Sequence, residues 1–213
     1  MDDVEQAWDA IDRWMARFAP GSSEAQHPPA EATAVAAAEG ELGLAFPDDV
    51  RRSLLHHDGQ PRYCTDFPGY PLLPVQGILE TRRMMMELAA EEDELGRDDS
   101  DDCWWHESWL PVAELDSDRY VVDLRPGPGY GRLGWFPRNQ EVDFDQVAPT
   151  LAAHLSQVAT ALTTGGAVDD DVPYVTASGF LHWDYPGQEA TDDGEALQRA
   201  PVGQGPGPAA RRR

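Results

Sequence analysis

The strongest constraint on the fold is the stretch of residues 104–144, in which strand-forming residues lie on both sides of a chain reversal. Tyr120, Val121 and Val122 begin a β-branched and aromatic run, the composition of a buried strand. The segment 126–131 reads P-G-P-G-Y-G, and strand character returns in L-G-W-F at 133–136. Four of the seven tryptophans lie in this stretch. The sequence therefore predicts a β-hairpin at the centre of the core.

Helical patterns surround the hairpin. Apolar residues recur at three- and four-residue steps in the first of them, after Asp2 or Asp3 as a cap. Gly43 follows the second as a left-handed terminator, and Pro47 suits the first position of the third. The helices are predicted over residues 4–18, 31–42, 47–57, 77–95 and 147–162.

The order of these elements indicates one α+β domain, with a mostly antiparallel sheet flanked by amino-terminal helices and by a long helix after the hairpin. A terminal strand pair near Tyr174 and Trp183 is expected to cover an edge of that sheet. We assign residues 1–185 to the domain. Residues 186–213 are rich in glycine and proline, and we expect them to be disordered.

The charge of the chain limits its partners. Thirty-nine acidic and 16 basic residues give a formal net charge of −23, which argues against nucleic-acid and anionic-membrane binders. The same charge accelerates encounter with a basic protein. The acidic amino terminus and the lack of a bilayer-length apolar run predict a cytoplasmic protein. Cys64 and Cys103 form no C-x-x-C pair, and we expect reduced thiols rather than a disulfide.

No motif of the chain predicts an active site. His56 and His57 are adjacent on a predicted helix, where their side chains diverge by about 100° and grip one ion poorly. His106 and Glu107 have no nucleophile beside them, so a hydrolase needs a pocket joining them to a further polar group. The P-G-P-G-Y-G loop lacks the Lys-Ser/Thr of a phosphate loop. We predict no catalytic residues, no cofactor and no metal ion.

Three consecutive methionines, Met84 to Met86, lie in the fourth predicted helix. They have two interpretations, an adaptable binding surface or a mixed core and surface role. The second is favoured, because at least one of three successive helical residues must face inward.

The order of several motifs resembles the SUKH superfamily, specifically its Smi/Knr-type branch. Residues 39–59 read E-x-x-L-G-L-A-F-P-D-D-V-R-R-S-L-L-x-H-D-G, followed by W-L-P-V-A at 109–113, Y-V-V-D-L-R-P-G-P at 120–128 and G-R-L-G from Gly131. The resemblance spans residues 4–163; the segment E-L-D-S-D-R after Ala113 departs from the glycines frequent in relatives. The residues that carry the motif are Trp14, Leu42, Gly43, Pro47, Asp58, Gly59, Trp109, Pro111 and Asp123.

The resemblance implies a non-catalytic protein-binding domain. Bacterial members look like immunity proteins that neutralise toxins, many of them nucleic-acid-directed, whereas fungal members resemble regulators or scaffolds of endogenous complexes. The first role is favoured here, and the predicted partner is a basic toxin domain. The sequence leaves the oligomeric state open, with a slight preference for a monomer. The predicted partner-binding residues are the carboxylates Glu91, Glu92, Asp93, Glu94, Asp98, Asp99, Asp101 and Asp102.

Overall fold

Helices and strands come in blocks along the chain. The computed structural model describes residues 3–62, 64–94, 105–138 and 141–203. Within these residues the helices are α1 (Val4–Phe18), α2 (Pro20–Ala25), α3 (Ala32–Leu42), α4 (Asp48–His56), α5 (Val75–Glu94) and α6 (Leu151–Thr164). The strands are β1 (Trp109–Leu115), β2 (Asp118–Asp123), β3 (Leu133–Phe136), β4 (Val172–Thr176), β5 (Leu181–Asp184) and β6 (Leu197–Arg199).

The strands of the described ranges form two antiparallel sheets of three strands each. The first has the order β1-β2-β3 and the second the order β5-β4-β6. This confirms the predicted α+β class with antiparallel pairing. The carboxyl-terminal strands were expected at the edge of a single sheet; β4 and β5 instead join β6 in a sheet of their own. The domain boundary at residue 185 stays a prediction.

The predicted helices are confirmed with small shifts at their ends. Asp3 caps α1, since its carboxylate accepts a hydrogen bond from the N–H of Glu5 at 3.1 Å. Gly43 follows α3 in the left-handed conformation, with φ of 64°. Helix α6 begins at Leu151, four residues after the predicted start. Helix α2 lies where a loop was predicted; Pro20, with its fixed φ, occupies its first position.

The central hairpin is confirmed as β2 and β3, joined by the loop of residues 124–132. Val121 pairs with Gly134, and the N–H of Gly131 donates to the carbonyl of Asp123 at 2.7 Å. Strand β1 was not predicted, and a two-residue turn joins it to β2. Asp116 and Ser117 form that turn with positive φ of 50° and 88°, values that suit the twist of a tight hairpin.

The chain divides into two compact units. One comprises residues 28–59 and 72–151, and its aromatic core lies on the first sheet. Trp105, Trp109 and Phe136 are buried there with ring centroids 5.4 to 6.2 Å apart in edge-to-face contacts. Trp105 and Trp109 thus contribute to a core, as predicted, whereas Trp135 on β3 is only half-buried. Trp104 lies outside the described residues.

The other unit comprises residues 1–27, 60–71 and 152–213. The apolar stripe of α1 is buried in it, with Trp8, Ile11 and Trp14 fully inaccessible to solvent. Among the described residues, no helix combines the length and the apolar composition that a bilayer crossing requires.

The expected disorder after Pro186 is wrong for the residues up to Gly203. Strand β6 pairs with β4, the indole of Trp14 donates to the carbonyl of Pro201 at 3.1 Å, and the N–H of Gly203 donates to Thr163 at 3.1 Å. Backbone hydrogen bonds to distant segments order a stretch whose composition has little to bury. The predicted tail over residues 204–213 lies outside the described residues.

Candidate binding surface

The motif residues Asp58 and Gly59 build the start of α5. The Asp58 carboxylate accepts a hydrogen bond from the N–H of Val75, the first residue of α5, at 2.8 Å. Gly59 has φ of +65°, and a Cβ there would lie 2.3 Å from the nitrogen of Pro74. The chain therefore passes Gly59 so closely that only glycine fits. This pair has a structural role, since it holds the helix on which the candidate surface lies.

A second set of motif residues holds the connection from α3 to α4. The Glu39 carboxylate accepts hydrogen bonds from the N–H of Phe46 at 2.7 Å and from the Arg51 guanidinium at 2.5 Å. Pro47 lies at the cap of α4, and Leu42, the last residue of α3, is half-buried. These contacts fix the geometry of two helices without leaving a reactive group at the surface.

The motif residues of the first sheet lie on β1 and β2, and one of them holds the loop between β2 and β3. Trp109 and Asp123 are paired residues of β1 and β2. The Asp123 carboxylate accepts hydrogen bonds from the N–H and the guanidinium of Arg125, at 2.7 to 3.1 Å. Pro111 lies at a register irregularity of β1. The P-G-P-G-Y-G segment is thus a pinned hairpin loop, in agreement with its interpretation as a turn.

The residues considered for chemistry also have structural contacts. The His106 Nδ1 accepts a hydrogen bond from the N–H of Ser108 at 2.9 Å, and the carbonyl of Glu107 accepts one from Arg82 at 2.5 Å. The rings of His56 and His57 pack edge to face at 4.8 Å. These contacts stabilise turns and a helix end.

A hydroxyl from the segment between α4 and α5 lies near an imidazole and a carboxylate of β5. The Thr65 Oγ1 is 3.0 Å from the His182 Nδ1, and the His182 Nε2 is 3.6 Å from the Asp184 carboxylate. The second distance exceeds that of a hydrogen bond, so the three groups do not form a relay of the hydrolase type. Sequence reasoning could not have found this group, because it depends on contact between distant segments.

The free thiol of Cys64 is unsuited to nucleophilic chemistry. Burial, with a further contribution from the Asp66 carboxylate, raises the pKa of Cys64 to about 12. The group is therefore a neutral thiol at pH 7, whereas a cysteine nucleophile needs the thiolate. Cys64 is a free thiol, as predicted. Cys103 lies outside the described residues, so a reduced thiol there stays a prediction.

A small pocket lies between α4, α5 and β1. It is lined by Val50, Ser53, Leu54, His57, Gly59, Leu72, Leu73, Ile78, Val112 and Leu151, and its volume is about 10 Å³. That is room for about one water molecule. A space of this size leaves no room for an organic ligand without a shift of the lining side chains.

The outward face of α5 carries two neighbouring exposed apolar side chains. Met85 is 1% exposed and packs in the aromatic core, while Met84 and Leu88 are each 39% exposed. The favoured interpretation of the three methionines, a mixed core and surface role, is therefore confirmed. The helical period could have located this face once the inward position of Met85 was known.

The predicted acidic residues begin on this face. Glu91 is exposed on α5, and Glu92, Asp93 and Glu94 complete the same helix. Asp98, Asp99, Asp101 and Asp102 lie outside the described residues. The structure therefore brings only the first part of the predicted partner-binding set onto one element, and the role of the whole set stays a prediction.

Comparison with known proteins adds two findings. Residues 29–157, more than half of the chain, match the SMI1 / KNR4 family (SUKH-1). The chain is also 29% identical over 200 residues to a protein of Schizosaccharomyces pombe described as "Cell wall biosynthesis/cell cycle regulator smi1". That alignment covers 79% of this chain and 38% of the yeast protein, so the chain spans well under half the length of this relative.

Proposed function

Because the chain belongs to the SMI1 / KNR4 family (SUKH-1), we propose that it is a non-catalytic protein-binding domain that acts as an immunity protein and neutralises a toxin in the cytoplasm. The family includes immunity proteins and Smi1-like regulators. The observation that carries the choice between them is the net charge of −23.

The charge supports a basic, nucleic-acid-directed toxin as the partner. An enzyme that acts on nucleic acid binds phosphates with a cluster of Lys and Arg. A strongly negative protein is attracted to such a cluster, and complementary potentials raise association rates well above those of neutral pairs. The proposed protein would occlude the basic site and compete with nucleic acid for it.

We assign the steering of this encounter to the acidic end of α5 and the carboxylates that follow it. Glu87 and Glu91 are the exposed described members of this region. Substitution of both by lysine should slow association with the toxin and weaken its dependence on salt. Glu189→Lys with Asp192→Lys is the matched control, because these side chains are also exposed and the net charge changes equally. Equal association rates for the two double variants would remove α5 from the proposal.

The function itself is tested by capture and by protection. The tagged chain is used to recover partners from lysate of its source organism, and the recovered protein is identified by mass spectrometry. We expect a basic toxin domain, and co-expression of the chain should then restore growth of cells that produce this toxin. A recovered toxin that kills equally well in the presence of the chain, or no partner at all, would contradict the proposal.

A regulatory module is the second candidate function. The 29% identity to the S. pombe protein named as a regulator of cell wall biosynthesis and the cell cycle favours it. Here the chain would bind an endogenous complex and no toxin. Capture separates the two functions, since this one predicts recovery of a multiprotein assembly and no protection against a toxin. A toxin gene directly before the gene of this chain would favour immunity.

A further inference from the structure

We propose that the outward face of α5 is a docking surface for a basic amphipathic helix of the partner protein. The face consists of Glu80, Met84, Glu87, Leu88 and Glu91. This inference rests on the proposed protein-binding function, and it adds the contact surface and the kind of element that covers it.

Two apolar side chains form a ridge on this face. Met84 and Leu88 are one helical turn apart, and each is 39% exposed. Residues four apart are neighbours on a helix surface, and such rows are the ridges that fit the grooves of a second helix. The side of α5 next to Leu88 faces the core, because Ile78 and Met85 are each 1% exposed and Thr81 is 8% exposed.

Negative charge lies along one side of the ridge. Glu80, Glu87 and Glu91 are exposed and, with 100° between successive residues, lie within one narrow arc that includes Met84. Arg83, at the border of this arc on α5, has its guanidinium 3.0 Å from the Glu41 carboxylate, so its charge is already paired. The face is therefore an apolar row with an acidic rim along one side.

Charge complementarity selects the occupant. A second copy of this chain would bring the same three carboxylates against the first, and like charges across an interface cost affinity. A helix that carries both leucine-type side chains and lysines or arginines complements this face. Its apolar side chains would pack on Met84 and Leu88, and its basic side chains would pair with the glutamates. The acidic rim would steer the encounter. Burial of Met84 and Leu88 by the partner helix would slow dissociation.

The test uses a synthetic helical peptide with leucines on one side and lysines on the other, titrated into the full chain at 150 mM salt. Its controls are a peptide with glutamates in place of the lysines and a scrambled lysine peptide. Met84→Ser with Leu88→Ser removes the ridge, and Leu55→Ser is the matched apolar control because Leu55 is 38% exposed on α4. Glu80→Gln, Glu87→Gln and Glu91→Gln together remove the rim, against Glu24→Gln, Glu189→Gln and Asp192→Asn elsewhere.

We expect amide shift changes concentrated on α5 and a Kd that the ridge variant weakens at least about 10-fold, with Leu55→Ser unchanged. The rim variant should reduce the salt dependence of Kd more than its control does. Equal binding to the ridge variant and the wild type, equal binding of the scrambled peptide, or dimers of the chain formed through α5 would overturn the inference.

The same variants separate this inference from the proposed function. If the captured partner binds the ridge variant as well as the wild type, the docking surface is wrong and the immunity function stands. If the lysine peptide binds α5 as described but no toxin is captured, the surface stands and the function is wrong.

Discussion

At the scale of single residues, Gly59 is the position with the least room for a side chain. A Cβ there would lie 2.3 Å from the nitrogen of Pro74 and 2.5 Å from the carbonyl carbon of Leu73, both backbone atoms that cannot turn aside. The positive φ of 65° adds strain for any residue with a Cβ. Gly59→Ala should therefore destabilise the protein by at least about 2 kcal/mol, measured by urea unfolding.

Gly40 offers the control for this prediction. It is exposed in α3, and a Cβ added there meets nothing within 4 Å. Gly40→Ala should stabilise the helix by about 0.5 to 1 kcal/mol. Changes of opposite sign in the free energy of unfolding would confirm that Gly59→Ala destabilises the protein because of the close backbone of Leu73 and Pro74. The loss of a glycine as such would then not be the cause. Unfolding midpoints for Gly59→Ala at or above that of the wild type would contradict the structural account of the motif.

Asp66 is a buried carboxylate that should make the stability of the protein depend on pH. Its side chain accepts hydrogen bonds from the Ser22 hydroxyl at 2.5 Å and from the Gln26 amide at 3.2 Å, and the residue is 2% exposed. Burial raises the pKa of Asp66 from 3.8 to about 6, although the Ser22 hydrogen bond opposes the rise. Between these two values the folded state binds more protons than the unfolded chain does.

The stability supplied by Asp66 is thus complete below pH 3.8 and is lost as the pH rises through about 6. The free energy of unfolding of the wild type, minus that of Asp66→Asn, should fall by roughly 2 kcal/mol from pH 4 to pH 7.5. Urea unfolding at several pH values measures this difference. Asp9→Asn, which removes a carboxylate at an exposed position of α1, is the control. A difference between wild type and Asp66→Asn that does not depend on pH would contradict the prediction.

At the scale of elements, α5 depends on a cap supplied from outside the helix. Pro74 precedes its first residue and has no side-chain acceptor, while the Asp58 carboxylate accepts from Val75 at 2.8 Å. Asp58→Ala should cost about 1 kcal/mol and Asp58→Asn, which keeps an acceptor, less. Hydrogen exchange should locate the loss in the first turn of α5. Equal exchange there in Asp58→Ala and wild type would show that the cap is not needed.

The helices were predictable because their signals are local. The apolar period of α1 and the glycine after α3 act within a few residues of the chain, and both appear in the structure. Strand β1 was missed because Pro111 argues against a strand, and its pairing with β2 tolerates the proline at an irregularity. Strand β6 was missed because its order comes from β4, more than twenty residues earlier.

The candidate surface was predictable only in part. The sequence shows that the end of α5 is acidic. It does not show which side of the helix faces the core. The sequence alone does not show which of Met84, Met85 and Met86 faces the core. The packing of Met85 against Trp105 and Phe136 shows that Met84 faces outward. A contact between distant residues therefore decides which side of α5 is available for a partner.

At the scale of the whole molecule, the net charge of −23 acts on stability as well as on binding. Mutual repulsion of like charges disfavours the compact state, and added salt screens it. Salt also weakens exposed ion pairs such as Arg52–Asp48, at 2.9 Å, and Arg83–Glu41, at 3.0 Å. Exposed pairs contribute about 0 to 1 kcal/mol each. The sequence has 16 basic residues to pair with 39 carboxylates, so the repulsive effect should dominate.

The midpoint of thermal unfolding should therefore rise by about 3 °C, the equivalent of roughly 1 kcal/mol, between 20 mM and 500 mM sodium chloride at pH 7. Potassium chloride at equal ionic strength should have the same effect, because screening does not distinguish the two cations. The variant Glu24→Gln, Glu189→Gln, Asp192→Asn, with three fewer negative charges, should respond less. A midpoint that falls with salt would mean that ion pairs outweigh repulsion. A response specific to one cation would indicate a bound ion instead of screening.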